Sequence, residues 1–352
     1  MGWLNLLSAS DFKDDIALPD GQCHSMNTPT NAPAPHTSCA FLFDGSGAAV
    51  ALDLNTTPAI PDSGFLWVHL VKDDPATPLW LAKADLPPMI EAAISAEDTR
   101  PRCTPHGNGA VIILRGVNLN EGARAEDMVS IRLWVTQHCI ISYAQRRLRA
   151  LEDIQTSAAS GPTAHSPGDF LGRLTQRLAD RAEPTVSELN EQLDGIEETL
   201  LDEGTLPDRS SLGEIRRAAI TLRRYMMPQR DALTTLLIED FNWLSDADLA
   251  RLREATERIT LLSEELDAIR DRAQVVHDQI LDKRSETMNR QMFILSSVAA
   301  IFLPLGLITG LLGINVGGIP GTENPSAFAL VTIGLVVMGG LLVWLFRKWG
   351  LL

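Results

Sequence analysis

The sequence lacks the features that would indicate nucleic-acid binding, secretion or catalysis. Its 30 Lys and Arg residues are outnumbered by 45 Asp and Glu residues, and the net charge of −15 argues against a nucleic-acid partner. Only four cysteines are present, with no Cys-x-x-Cys pair, which fits a reducing compartment. The N-terminus has neither the basic start nor the long apolar core of a signal peptide. Phosphate-binding loops, Gly-x-Ser-x-Gly and His-Glu-x-x-His are also missing, so an enzyme is the least favoured class.

Charge is absent altogether from two long stretches near the C-terminus. One is Met292–Asn315 and the other is Ala329–Phe346. A helix needs about 20 apolar residues to cross the hydrocarbon core of a bilayer, and neither stretch alternates as a barrel strand would. We therefore predict two transmembrane helices, over 291–315 and 328–346, joined by an external loop over 316–327.

Basic residues flank the two predicted spans on the same side of the membrane: Lys283, Arg284, Arg290, Arg347 and Lys348. The connecting loop has Glu323 but no Lys or Arg. By the positive-inside rule, both termini are cytoplasmic, including the tail 347–352. We expect a multi-pass protein of the bacterial inner membrane.

The soluble part divides by composition into a leader, a domain and a linker. Residues 1–38 are rich in Pro, Ser, Thr and Asn, which predicts a flexible leader. Residues 39–155 alternate strand and helix patterns, which predicts a cytoplasmic α/β domain. The stretch 156–169 has the composition of a linker. Within the domain, His69 is interpreted as a core or edge-strand histidine and Asp85 as a helix N-cap.

Two small groups of Cys and His leave metal binding open as an alternative. Tetrahedral zinc sites commonly use four such ligands. One candidate set has four members, two of them adjacent and poorly spaced: Cys23, His24, His36 and Cys39. A second group, Cys103 and His106, has too few ligands for a site. For both groups we favour residues without a bound metal.

The stretch 170–290 has apolar residues at spacings of three and four, which predicts a helical stalk. Pro228 is expected to kink or interrupt one of its helices. The stretch Ser245–Asp248 resembles a capping box. Because no Pro or Gly follows until Pro304, we predict one continuous helix over Asp246–Leu312. The predicted fold class is thus an α+β membrane protein with an N-terminal α/β cytoplasmic domain, a long helical stalk and two C-terminal transmembrane helices.

The first span has one face that would line a pore if several copies assembled, since two helices cannot enclose a water-filled path. Counted back from Asn315 at helical spacing, this face contains small or apolar residues: Gly310, Gly306, Leu303, Ala299, Leu295 and Met292. None of these side chains would strip the water from an ion. We therefore expect a cation to pass with much of its hydration kept.

Polar residues mark the two ends of this face. Asn315 is expected to hold a hydrated cation at the outer end, while Asp278 and Asp282 form an acidic ring that concentrates cations at the cytoplasmic end. The alternatives are that Asn315 only caps the helix, that both aspartates are ordinary solvated residues, and that the glycines serve only helix packing.

Several motifs together resemble the CorA-type divalent metal ion transporter superfamily. The first span ends in Gly313-Ile314-Asn315, a variant of the Gly-x-Asn tripeptide whose commoner form is Gly-Met-Asn. Four further segments resemble the ZntB-like zinc-transporter branch of this superfamily: Pro101–Thr104, Leu114–Asn120, Glu126–Val135 and Arg146–Ile154. The resemblance extends over nearly the whole chain after the leader.

The resemblance implies a homopentamer with a funnel-shaped cytoplasmic domain and a pore lined by the first span. It implies a selectivity filter formed by Gly313, Ile314 and Asn315, and contact between the metal and Asp278 at the cytoplasmic end. The implied cargo is zinc, without a resident cofactor, and the implied partners are further copies, the lipid bilayer and divalent cations. Two alternatives stay open: a magnesium, cobalt or nickel channel of the same superfamily, and a non-conducting coiled-coil sensor or scaffold.

Overall fold

The computed structural model describes most of the chain: residues 36–56, 60–97, 99–202, 207, 209–314, 321 and 324–348. The predictions for Cys23, His24 and Asn315 lie outside the described residues, as do those for most of the leader and of the loop 316–327. The chain divides into two units, Met1–Val275 and Val276–Leu352.

The described residues form one sheet and a series of helices in the order β1 (Cys39–Phe43), β2 (Ala49–Leu52), β3 (Phe65–Val71), α1 (Ala76–Ala84), α2 (Pro88–Ser95), β4 (Arg102–His106), β5 (Gly109–Gly116), β6 (Val129–Val135), β7 (Cys139–Ala144), α3 (Arg149–Ser160), α4 (Pro167–Leu201), α5 (Arg209–Ile238), α6 (Asp246–Leu312) and α7 (Ala327–Lys348). An α/β domain followed by long helices and two C-terminal apolar helices confirms the predicted fold class. The continuous helix predicted over Asp246–Leu312 has these bounds in α6.

The sheet is mixed, with seven strands in the order β2-β1-β3-β7-β6-β5-β4. Its central pair, β3 and β7, is parallel, with Val68 opposite Ile141, while the other neighbours are antiparallel. All seven residues of β3 are buried. A strand covered on both faces is expected to be apolar without interruption, as Phe-Leu-Trp-Val-His-Leu-Val nearly is.

The two faces of the sheet pack against different helices. On one face, Ile90 and Ile94 of α2 join a hydrophobic cluster that includes Val68 and Ile113. On the other face the cluster is aromatic, and Phe170 of α4 closes it from above the sheet. The centroid of its ring lies 4.8 Å from that of Trp67, 6.3 Å from Phe43 and 6.4 Å from Phe65. The first turns of α4 are thereby anchored to the sheet.

The predicted N-cap at Asp85 is wrong. Asp85 instead ends α1, where its φ of 52° is left-handed, and α2 begins at Pro88 after Pro87. Proline suits the first turn of a helix because the amide hydrogen it lacks would have no partner there. The Pro-Pro pair therefore decides where α2 starts.

Two further predictions about helix limits need correction. The stretch 156–169 is not a linker throughout, because α3 continues to Ser160 and α4 already begins at Pro167. The side chain of Ser166 caps α4 by accepting a hydrogen bond from the backbone amide of Asp169, at 2.9 Å. Of the two effects predicted for Pro228, the interruption is wrong because α5 continues to Ile238, whereas the kink stays a prediction. The composition of the stretch 156–169 resembles a linker, but Ala158 in α3 is buried, and this burial depends on the rest of the fold.

In the first unit, α4 and α6 are joined by ion pairs whose guanidinium groups lie on α6. Arg258 contacts Glu183 at 2.7 Å, and Arg272 contacts Glu197 at 2.7 Å. Nearer the start of α6, Arg251 pairs with Asp169. The increasing numbers on both helices show that α4 and α6 run in the same direction.

The capping box predicted at the start of α6 is confirmed. The hydroxyl of Ser245 donates to Oδ2 of Asp248 at 2.8 Å, and the amide of Asp248 donates to that hydroxyl oxygen at 3.2 Å. The amide of Ser245 also donates to the Asp248 carboxylate, at 3.1 Å. The first orphan amides of the helix are satisfied in this way.

Candidate functional site

The C-terminal part of α6 and all of α7 are long and apolar enough to cross a membrane. Their most apolar windows have mean hydropathies of 2.2 and 2.4. On α7 the basic residues Arg347 and Lys348 occupy the last turn. There Lys348 Nζ lies 5.2 Å from the ring centroid of Trp344, an arrangement suited to a membrane interface.

In the second unit, one side of α6 is sheltered. Ser297 is only 8% exposed, and Ile301, Leu305 and Ile308 on the same side are half-buried. A Cβ atom placed on Gly339 of α7 would lie 3.7 Å from Cδ1 of Leu305, which is ordinary van der Waals contact. The two helices of the second unit therefore meet through a small residue, as membrane helices commonly do.

The predicted pore face lies on the exposed part of α6. Met292, Leu295 and Leu303 are 60%, 72% and 73% exposed, and Ala299, Gly306 and Gly310 are also exposed. A Cβ atom at Gly306 or Gly310 would meet nothing within 4 Å. Contacts with the described residues thus do not explain why glycine stands at these two positions.

The C-terminal end of α6 closes with backbone hydrogen bonds. The amide of Gly313 donates to the carbonyl of Thr309 at 2.9 Å and to that of Gly310 at 3.2 Å. The hydroxyl of Thr309 donates to the carbonyls of Leu305 and Gly306, so it is engaged within the helix. Ile314 is 48% exposed, and its neighbour Asn315 lies outside the described residues.

The acidic residues Asp278 and Asp282 are exposed on α6. They belong to a longer pattern that sequence reasoning missed. Stepping by four and three residues from Glu257 to Gly313 meets only exposed positions, which we call the exposed seam: Glu257, Leu261, Glu264, Ala268, Asp271, Val275, Asp278, Asp282, Ser285, Asn289, Met292, Ser296, Ala299, Leu303, Gly306, Gly310 and Gly313. Alternating steps of four and three are the heptad pattern of helices that pack against further helices.

The exposed seam is distinct from the apolar seam that α6 buries within its own chain. The buried seam includes Leu252, Ile259, Leu266, Ile269 and Ala273. The exposed seam has acidic residues at its start, Ser285 and Asn289 next, and small or apolar residues from Met292 onward. It contains no Lys or Arg, although α6 has both.

The histidines and cysteines singled out in the described part of the sequence lie on strands of the sheet or next to them. His69 is buried, its Nδ1 lies 2.9 Å from the hydroxyl of Ser142, and burial lowers its pKa to about 3, which confirms a core histidine. Cys103 and His106 lie three residues apart on β4, so they face opposite sides of the strand. Cys39 belongs to β1, and its buried thiol accepts a hydrogen bond from Gln155.

Burial raises the pKa of the Cys39 thiol to about 12, which disfavours the thiolate that a metal would need. Among the residues that the structure describes, no three His, Cys, Asp or Glu side chains are grouped to hold a metal ion. Asp278 is therefore not part of a complete ligand set in the described part of the chain.

A mixed α/β domain, a long helix and two apolar helices with an exposed heptad seam define a membrane protein of the ion-transport class. Residues 62–348 match the family described as CorA-like Mg2+ transporter protein. The chain belongs to this family, which consists of transporters and not of enzymes.

Curated relatives extend over almost the same length. The chain is 35% identical over 313 residues to the zinc transport protein ZntB of Pectobacterium carotovorum subsp. carotovorum (strain PC1), covering 88% of this chain and 95% of the relative. It is 34% identical over 318 residues to the protein of the same name from Enterobacter sp. (strain 638), covering 90% and 96%.

Solved structures support the same assignment. The full-length CmaX protein superposes with a TM-score of 0.78 at 32% identity, over 90% of this chain and 99% of that one. The CorA magnesium transporter of Methanocaldococcus jannaschii has a TM-score of 0.75 over 89% and 98%. At 19% identity, this second likeness concerns the fold alone.

Proposed function

We propose that this protein transports zinc across the bacterial inner membrane, through a pore that several copies of α6 form around a common axis. The observation that carries the proposal is the exposed seam. It has the heptad spacing of helices that pack against further helices, and its residues are exposed in the described part of the chain. The names of the curated relatives support zinc as the cargo.

The chemistry of the exposed seam favours cations. Its acidic residues, Glu257, Glu264, Asp271, Asp278 and Asp282, would form successive negative rings at the cytoplasmic end of an assembly. Such rings raise the local concentration of cations. From Met292 to Gly313 the lining would be small or apolar, and a hydrated ion is expected to pass there, with apolar rings that close by dewetting.

The outer end would select the ion. Gly313, Ile314 and Asn315 are proposed as the filter, with the amide oxygen of Asn315 facing the hydrated cation. Gly313 supports a tight turn at this point, because an added Cβ atom would approach the carbonyl oxygen of Thr309 to 3.2 Å. Five copies, with both termini in the cytoplasm, are the arrangement that the family resemblance and the basic flanks favour.

The test is metal flux into liposomes that contain the purified full chain. Zinc flux is expected for the wild type, and a marked change in rate or in the zinc-to-magnesium ratio for Asn315→Ala. Asn324→Ala is the matched control, since its side chain accepts from the amide of Ser326 in the same connection. Absence of divalent flux in the wild type would overturn the transport proposal, whereas equal flux through Asn315→Ala would remove only the filter role.

Magnesium is the second candidate cargo, because the family description that matches residues 62–348 names it. The same liposomes separate the two candidates. Faster magnesium than zinc flux at equal concentration would favour magnesium.

A further inference from the structure

Helix α5 is basic, although the chain as a whole has a net charge of −15. Its only acidic residues are Glu214 and Asp231. Its arginines are spread along the whole helix: Arg209, Arg216, Arg217, Arg223, Arg224 and Arg230. Two of them are paired inside the chain, since Arg223 contacts Asp267 of α6 and Arg230 contacts Asp231.

Three other arginines lie on the solvent side of α5. We call Arg216, Arg217, Ile220 and Arg224 the basic face; all four are exposed, and Ile220 is 44% exposed. In the described part of the chain, the guanidinium groups of Arg216 and Arg217 have no hydrogen-bond or ion-pair partner. The guanidinium of Arg224 is ordered, because its carbon lies 4.8 Å from the ring centroid of Tyr225 and Nη2 donates to the Tyr225 hydroxyl at 2.9 Å.

Helix α4 has an exposed face of opposite charge. We call Glu188, Glu191 and Glu198 the acidic face; their spacing puts them on one side of the helix, and all three are exposed. Glu188 accepts a hydrogen bond from Gln192 of the same helix at 3.3 Å. No cation from another element contacts Glu191 or Glu198 among the residues described. Asp194, which contacts Arg272 of α6, lies three residues after Glu191 and four before Glu198, so the acidic face borders the side of α4 that packs on α6.

The two faces match in length as well as in charge. At a rise of about 1.5 Å per residue, the acidic face extends over about 15 Å and the basic face over about 12 Å. A ring of identical subunits uses heterologous contacts, in which each copy offers two different surfaces to its two neighbours. The chain has such a complementary pair on two consecutive helices.

We propose that the basic face of α5 docks on the acidic face of α4 in the neighbouring copy of this chain. Arginine and glutamate side chains would form the rim contacts, with Ile220 as the apolar contact between them. This inference rests on the homo-oligomeric assembly of the proposed function, and adds the surfaces by which the cytoplasmic parts recognise each other.

The test compares charge-reversed variants of the full chain in detergent at low salt, by light scattering during dilution. Arg216→Glu with Arg217→Glu is expected to raise the concentration for half-dissociation by about tenfold or more, through lost attraction and new repulsion. Adding Glu191→Arg and Glu198→Arg should restore assembly. At about 1 M salt, where charges are screened beyond about 3 Å, the difference should vanish. The control Arg100→Glu with Arg102→Glu makes the same charge change at exposed positions near the sheet edge.

The outcomes separate this proposal from the one on which it rests. A wild-type chain that is monomeric refutes the assembly itself. An oligomeric wild type with unchanged dissociation of Arg216→Glu with Arg217→Glu refutes only the docking surface, as does an equal effect of the control pair. Loss of binding to vesicles of anionic phospholipid, without a change in assembly, would show that the basic face binds lipid and that the proposal is wrong.

Discussion

Arg272 is expected to link α6 to α4 more strongly than any neighbouring arginine on its own helix can. Its Nη2 lies 2.7 Å from Oε2 of Glu197, its Nε lies 3.1 Å from Oε1 of Glu197, and its Nη1 lies 2.8 Å from Oδ1 of Asn190. Asp194 also contacts the guanidinium. These hydrogen bonds raise the pKa of Arg272 above its ordinary value, so the side chain stays charged.

The magnitude follows from exposure. A hydrogen bond to a charged group contributes roughly 1.5–3 kcal/mol when it is buried. Here the side chains of Arg272, Glu197 and Asp194 are 37%, 36% and 54% exposed, so solvent screening reduces each contact. About 0.2–1 kcal/mol per contact is the range for exposed pairs. We therefore expect Arg272→Met to cost about 1–2 kcal/mol in total.

The assay is thermal unfolding of the full chain in detergent, followed by circular dichroism. For a unit of this size, a loss of about 1–2 kcal/mol lowers the midpoint by roughly 2–6 °C. The matched control is Arg270→Met. Arg270 also has two carboxylate partners, Asp267 and Asp271, but both lie on α6 itself. Pairs within one helix contribute only about 0.2–0.5 kcal/mol each. An equal shift for the two variants would refute the reasoning.

Three further predictions concern the core, a buried histidine and the acidic ring. Phe170→Ala removes the ring that covers the aromatic cluster and should cost about 3–5 kcal/mol in denaturant unfolding, whereas Phe328→Ala, 84% exposed, should leave that transition in place. Burial lowers the pKa of His69 from 6.5 to about 3, so the unfolded chain binds a proton before the folded chain does as the pH falls. The free energy of unfolding should therefore decline as the pH falls from 6.5 to about 3, and it should decline less in His69→Gln. Asp278→Ala should change how cytoplasmic zinc affects flux in liposomes; an unchanged response would remove Asp278 from the site.

Features that depend on short stretches of sequence could be predicted closely. The start of α6 follows from a capping box at Ser245, and its continuity into the first apolar stretch follows from the absence of Pro and Gly before Pro304. The two apolar helices follow from uncharged stretches whose length matches a bilayer. Helix capping and the length of an uncharged stretch each depend on residues within one helix, so they can be predicted without the rest of the fold.

Two predictions from a local signal were wrong: the helix N-cap at Asp85 and the interruption of a helix at Pro228. Asp85 has a residue type that commonly caps helices, yet it ends α1 because Pro87 and Pro88 place the next helix start after it. Pro228 lies inside α5, whose neighbouring residues Met226, Gln229 and Leu233 are buried. Packing on these side chains outweighs one missing backbone hydrogen bond.

The sequence by itself determined the class of protein: an acidic, cysteine-poor chain with an α/β domain, a long helix and two spans. Only the tertiary structure decided which side of α6 is available to other copies. Heptad spacing occurs on two sides of this helix, and both include apolar residues such as Ile259 and Leu261. Leu261 is 63% exposed and Ile259 is 2% exposed because burial depends on which neighbouring element covers a residue. A sequence pattern shows that a helix face is able to pack, whereas the fold decides which helix faces are covered by other elements of the same chain.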